Sequence, residues 1–532
     1  MEKHKGRCTV ILICFAAILS GCSKNQEKSS LKQHSSSIPH LQKRGKAIQL
    51  KVNGKPYLIL GGELHNSTSS SLKYMKPIWP KLAKAHLNTV LAAVSWELIE
   101  PQKGKFDFHL VDGMIRQARK NHLHLILLWF GSWKNGQSTY APIWVKKDEK
   151  KFPLVKIKNG KHIDVLSPFS QNTLHADANA FAALMKHIKQ VDGKQHTVIM
   201  VQVENEVGVL GDSRDRSQLA DEYFHKNVPE KLIHYLQNHK NSLRKHIYNL
   251  WKQNGFKTAG TWTNIFGGGA ATNEIFMAWQ YAHFINQVAA AGKAEYPLPM
   301  YVNAWIVQPG DKAPGDYPSG GPQAQMHDIW KAAAPNIDIL APDIYLNDFQ
   351  KITAQYKEPN KALFIPESFS GRKGSANAFY AFGARNAIGY SPFGIEDAVK
   401  DSTDGPISEA YNVLSQLQPL ILQAQEKGNI AAVSLNKDHT EQKVHLGNYV
   451  LDVQRRHTWD TLGVAQKGYA LIISTVPDEY YVAGNDFEIT FFPDSGSKMV
   501  GFDYVEDGSF KNGKWRAGRR LNGDAISHSI RL

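Results

Sequence analysis

The hydrophobic pattern changes character along the chain. Up to about residue 393, short apolar runs alternate with amphipathic stretches; beyond about residue 430 only short alternating runs remain. The runs at 58–62, 88–94, 124–130 and 198–203 are largely apolar, as strands buried on both faces are. Between the first two, Met75, Trp79, Leu82 and Ala85 fall three or four apart within 72–86, which marks one buried helical face. Further helices are predicted at 110–120 and 175–189, and further strands at 300–305, 337–345, 362–367 and 387–393. A ninth candidate, 257–262, leads into Gly267-Gly268-Gly269 within a connection of more than ninety residues. It reads as an excursion, which leaves eight strands. Strand-helix alternation of this length predicts an α/β fold, a TIM (β/α)8 barrel. Ile48, Leu50 and Val52, with the Asn53-Gly54 turn, predict a small hairpin leading in. A helix over 407–426 would close the barrel, and the runs at 431–435, 445–453, 469–476, 487–492 and 499–505 predict an antiparallel β-sandwich after it. The expected division is 44–396 for the barrel and 397–532 for a linking helix and the sandwich.

Polar residues at the carboxyl ends of barrel strands carry the chemistry of this architecture. The fourth run stops on Glu204-Asn205-Glu206 and the seventh on Glu367, so Glu206 and Glu367 would face each other across the mouth. Two carboxylates suffice to hydrolyse a glycosidic bond, one protonating the leaving oxygen and one attacking the anomeric carbon. Glu206 is the expected acid/base and Glu367 the nucleophile, with Glu204 the rival for each role. Asn205 is placed to hydrogen-bond a sugar hydroxyl. Glu63 and His65 end the first strand, Asn303 and Trp305 the fifth, and Tyr345 the sixth, where it would reach Glu367. Trp96, Trp129, Trp133, Trp262 and Trp305 lie at or near strand ends, where an indole face stacks on a sugar ring.

Val201-Gln202-Val203-Glu204-Asn205-Glu206-Val207-Gly208 resembles the Q-[IV]-E-N-E-[YV]-G motif of glycoside hydrolase family 35, which contains β-galactosidases. Gly61-Gly62-Glu63-Leu64-His65 is similar to its first-strand G-E-x-H. Trp96-Glu97-Leu98-Ile99-Glu100-Pro101, running on to Phe106-Asp107-Phe108, is similar to its W-N-x-H-E-P…G-x-F-D-F. The resemblance implies a retaining barrel glycosidase with Glu206 as acid/base and Glu367 as nucleophile. It is closest to a divergent bacterial branch with a C-terminal β domain of unknown function. Three departures stand out: Glu97 and Ile99 replace the motif's Asn and His, and Gly131-Ser132-Trp133-Lys134 lacks the family's third-strand sugar-binding Glu.

The expected function is an exo-glycosidase, most simply a β-galactosidase acting on plant-type oligo- or polysaccharides. A β-glucosidase, β-xylosidase or arabinosidase is the alternative within the mechanism, and a non-catalytic glycan-binding lipoprotein the alternative outside it. The 22 histidines include no H-E-x-x-H, so no metal or other cofactor is expected. Lys3, Lys5 and Arg7 precede an apolar run at 10–19 that ends in Leu19-Ser20-Gly21-Cys22, the layout of a bacterial lipoprotein leader cut before Cys22. That predicts lipidation of Cys22, a polar tether over 23–43, and an exported protein held on a cell-envelope membrane. All three cysteines, Cys8, Cys14 and Cys22, lie in the leader, which excludes a disulfide or cysteine-metal site in the cleaved chain. The net charge of +15 is spread rather than clustered, which with export argues against nucleic acid as a partner. A carbohydrate substrate and the membrane are the expected partners, and a homo-oligomer is compatible with the sequence.

Overall fold

In the computed structural model, which describes residues 9–14, 37–458, 463–464, 467–494, 500–523 and 530–531, the apolar runs close into a parallel barrel. Its strands are β1 (Ile59–Glu63), β2 (Thr89–Ser95), β3 (His124–Phe130), β4 (Val198–Val203), β5 (Met300–Trp305), β6 (Ile339–Ile344), β7 (Phe364–Ile365 and Glu367–Ser368) and β8 (Gly389–Tyr390). They pair in chain order, and β8 returns to β1 with Gly389 opposite Ile59. The seventh strand is split because Pro366 has no N–H to give to a ladder. Its first half pairs with β8 and its second with β6. Nine pieces of sheet are therefore eight strands. The stretch 257–262 is not one of them, since Trp262 opens the short helix Trp262–Phe266.

Alternation along each strand divides the core in two. In β3, Ile126, Leu128 and Phe130 fill the barrel with Ile59, Leu91, Ile199, Tyr301 and Phe364, while Leu125, Leu127 and Trp129 pack outward against helices. The lower end is plugged by the predicted hairpin, whose Leu50 and Val52 join the interior cluster. Asn53 and Gly54 turn it, both with positive φ. The hairpin has a third strand, His40–Arg44, paired with Ala47–Val52. The tether predicted over 23–43 is therefore too long at its C-terminal end, because Gln42 and its neighbours find ladder partners there.

The helix Pro406–Lys427 closes the barrel wall. Its Tyr411 hydroxyl lies 2.8 Å from the carbonyls of both Gly61 and Tyr390, at the seam between β1 and β8. Beyond it come β9 (Ile430–Leu435), β10 (Glu441–Leu446), β11 (Tyr449–Arg455), β12 (Gly468–Val476), β13 (Glu479–Asn485), β14 (Phe487–Pro493), β15 (Tyr504–Lys511) and β16 (Lys514–Leu521). They form two antiparallel sheets sharing one core, the predicted sandwich. Period-two alternation also seats it on the barrel: Ala470 and Ile472 face the sandwich interior, Leu471 and Ile473 the barrel helices.

One strand of the larger sheet comes from the other end of the chain. Thr9–Cys14 runs between β13 and β15 and pairs antiparallel with both. This run of Val, Ile and Leu is a strand former, and it lies inside the stretch the sequence assigns to a cleaved leader. Cys22 lies outside the described residues. Among the described residues no helix is long and apolar enough to cross a membrane.

Candidate active site

The site is built where β4 runs out. Glu204 and Glu206 adopt the left-handed backbone region, with φ of 61° and 45°, at a cost of roughly 1–2 kcal/mol each. These two reversals break strand alternation. Glu204 turns behind β3, while Asn205 and Glu206 reach the barrel mouth.

Glu204 is thus a scaffold residue and not a sugar ligand. Its carboxyl oxygens accept the N–H groups of Ser132 (3.2 Å) and Trp133 (2.7 Å). Asp177 holds the same turn, accepting from the Ser132 hydroxyl and from the Trp129 indole (2.9 Å). Burial raises both acids, Glu204 well above the usual range with Asp177 adding to the rise, while the hydrogen bonds of Glu204, Ser132 and Trp129 hold Asp177 down. At Gly131 a Cβ would sit 2.3 Å from the Trp129 indole nitrogen and 2.6 Å from a Glu204 oxygen, so only glycine fits between them.

Glu206, Asp343 and Glu367 each bring a carboxylate oxygen within 4.8 Å of the other two, and all three are buried. Asp343 stands opposite Glu367 in the β6–β7 register. Three donors converge on Glu367: Tyr345 Oη at 2.9 Å on Oε2, and Asn303 Nδ2 at 3.3 Å and Asn205 Nδ2 at 3.5 Å on Oε1. Such donors stabilise a carboxylate anion. Asn303 ties the site together, since its Nδ2 also donates to Asp343 Oδ2 (2.8 Å) and its Oδ1 accepts the Glu206 N–H (3.1 Å).

The proton inventory follows from burial. Burial first, then the nearby charge of Glu367, pushes Glu206 up to about 7, with the Lys134 ammonium opposing the rise. Asp343 is held well above the carboxylate range by burial and by Glu367 and Glu206. Glu63, at the end of β1, meets no donor at either oxygen and is pushed well above the carboxylate range by burial and by Glu367. Lys134 is itself buried, donates to Asn205 Oδ1 (3.0 Å) and lies 5.0 Å above the Phe130 ring. The site therefore pairs one carboxylate met by three donors with one acid held protonated near neutrality, the division of labour a two-carboxylate hydrolase needs. Three carboxylates this close are also an arrangement a divalent cation takes up, by displacing protons.

Sequence reasoning missed Asp343 and Lys134. Asp343 was legible in principle: it precedes Tyr345 by two, so strand periodicity puts both on one face. Lys134 gave no such signal.

Other expected contacts are corrected. Trp96 is fully buried, its indole donating to Glu100 Oε2 (2.8 Å) and its ring edge-on to Trp144. Trp133 is fully buried against Tyr281 and Phe284 and donates to the Leu166 carbonyl. Trp129 and Trp262 belong to the outer core. His65 turns to the rim and pairs with Asp397 at 2.8 Å, away from the carboxylates. Trp305, half buried and opposite Asp343 in register, is the one proposed stacking indole left at the mouth.

Known proteins resemble this chain in two places. The model for "Glycosyl hydrolases family 35" matches residues 49–278 and that for "Domain of unknown function (DUF5597)" matches 407–532. A β-galactosidase of Xanthomonas manihotis is 31% identical over 180 residues, 32% of this chain and 27% of that protein. Beta-galactosidase 13 of Arabidopsis thaliana is 24% identical over 235 residues, 42% of this chain and 24% of that one. The chain thus spans about a quarter of the length of these relatives. Among solved structures, a β-galactosidase from Bacillus circulans sp. alkalophilus aligns with a TM-score of 0.47 at 15% identity, covering 69% of this chain and 57% of that one. The segment 49–278, which carries the Glu63, Asn205 and Glu206 corner of the site, is the part that matches the family model of glycosyl hydrolases family 35.

Proposed function

We propose that the protein is a retaining exo-glycosidase, in the first place a β-galactosidase removing terminal galactose from plant-type oligo- or polysaccharides. The observation that carries the mechanism is the approach of the Glu206 and Glu367 carboxylates to within 4.8 Å. Retaining enzymes hold the pair about 5–5.5 Å apart, whereas inverting ones leave roughly 6.5–9.5 Å for a water. Glu367 attacks the anomeric carbon as Glu206 gives its proton to the departing oxygen. Water then displaces Glu367, with Glu206 taking the proton back. Asn205, within reach of Glu367, is placed to bond the hydroxyl beside the reacting carbon.

The sugar is tested by turnover of 4-nitrophenyl β-galactoside beside its gluco, xylo and arabino analogues. The galactoside is expected to give the highest kcat/KM. A higher value for another sugar would move the specificity while leaving the mechanism, and hydrolysis of none would sink the reading.

Anchoring through Cys22 belongs to the same proposal, supported by the basic start, the apolar run and the small residues before Cys22. Cleavage there would remove Thr9–Cys14, so the leader and the strand between β13 and β15 cannot coexist in one molecule. Radiolabelled palmitate fed to expressing bacteria is expected to label the wild type and not Cys22→Ser. Equal labelling of both, or of neither, contradicts the anchor.

A further inference from the structure

A groove of about 1060 Å³ begins one residue beyond the end of β5 and two beyond the end of β6. These strands lie between β4 and β7, which carry Glu206 and Glu367. One wall starts at Ile306, directly after Trp305, and is fixed to the strand end by Gln323, whose amide donates to the Trp305 carbonyl (2.6 Å) and accepts from the Val307 N–H (3.3 Å). The other starts at Leu346, directly after Tyr345, and continues along the helix Phe349–Tyr356. The volume is at the top of the roughly 300–1,000 Å³ that small-ligand sites span, more than one sugar ring needs.

Its lining carries an excess of positive charge. Arg244 is occupied by Glu358 at 3.0 Å, and the Asp311 carboxylate accepts the Gln308 N–H at 2.6 Å. Lys245, Lys312 and Lys351 line the groove, are exposed, and make no ion pair among the described residues. Asp311 and Asp348 oppose them, while burial keeps Glu274 protonated up to about 7. Ammonium groups spaced along a polar groove suit carboxylates on a chain better than a neutral polymer.

We propose that this groove binds the portion of the substrate beyond the scissile bond and that its lysines select glycans bearing uronate carboxylates. The placement of this binding site relative to the cut rests on the glycosidase reading, but the binding itself does not. The test is affinity gel electrophoresis of the whole protein in gels containing polygalacturonate or neutral galactan. It compares wild type, the triple Lys245→Ala/Lys312→Ala/Lys351→Ala variant, and a control triple at exposed Lys55, Lys103 and Lys158.

Polygalacturonate is expected to retard wild type and control alike, with at least a tenfold weaker apparent affinity in the groove triple and no comparable retardation by galactan. Equal retardation of both triples would show unspecific attraction of a basic protein and overturn the proposal, as would stronger binding of galactan. In parallel, kcat/KM on the best nitrophenyl glycoside should be unchanged in the groove triple; a tenfold fall would place the lysines in the sugar site and equally overturn it. Binding lost in the groove triple, in a protein that hydrolyses nothing, would keep the groove and dismiss the enzyme.

Discussion

Glu367→Ala is expected to lose turnover by at least about 10⁴-fold, equivalent to about 5.5 kcal/mol of transition-state stabilisation. The variant removes the atom that forms the covalent bond and leaves Tyr345, Asn205 and Asn303 aimed at an empty position. An alanine also opens space at the anomeric carbon. Azide is then expected to restore turnover and to give a glycosyl azide inverted relative to the substrate, since it attacks from the side Glu367 vacated. Full activity without azide would remove Glu367 from the mechanism.

Glu206→Ala is expected to lose roughly 10²–10⁴-fold on glycosides with poor leaving groups and far less on a dinitrophenyl glycoside, which departs without a proton. The pH profile gives the sharper reading. Glu206 holds its proton to about 7, and an acid acts only while protonated, so kcat/KM of the wild type falls as pH rises through that value. The coupled carboxylates titrate together, so the observed limb belongs to the group as a whole. Glu206→Ala should lose that limb; retaining it would contradict the assignment.

The same shift has a stability sign. The folded chain keeps a proton that the unfolded chain releases near 4.5, so Glu206 costs stability progressively as pH rises from about 4.5 to 7. Glu206→Ala is therefore expected to melt higher than wild type at pH 8 and no higher at pH 4. Buried acid at a catalytic site commonly trades stability for activity in this way.

The barrel was legible because its strands are nearly continuous apolar runs, and a period of two against 3.6 separates them from the helices. Its least regular parts were the weakest. β7 is broken by Pro366, and β8 is only Gly389–Tyr390 in ladder terms. Their carboxyl ends still located Glu367, because register follows from strand count. Asn205, Asn303 and Tyr345 were legible for the same reason.

Side-chain direction beyond the last ladder bond was not legible. Glu204 reads as a mouth residue by alternation, and only its positive φ sends it behind β3. Trp96 and Trp133 sit at strand ends yet point into packing, and no local pattern distinguishes an indole facing a sugar from one facing Tyr281. Lys134 was invisible as a partner of Asn205 because that contact joins residues 71 apart. The N-terminal strand shows a related ambiguity: Thr9–Cys14 satisfies the hydrophobic rule for a leader and for a sheet at once.

The central claim is that Glu367 forms a covalent bond to the sugar while Glu206, within 4.8 Å, manages the proton. It is tested most directly by treating the wild type with the 2-deoxy-2-fluoro, dinitrophenyl-activated form of its best glycoside. The modified residue is then mapped by peptide mass spectrometry. The account predicts a burst of one dinitrophenolate per active site and one fluoroglycosyl group, carried by Glu367. Labelling of Glu206, Asp343 or Glu63 instead, or steady turnover of natural substrate with no trappable adduct and an inverted product, would contradict it.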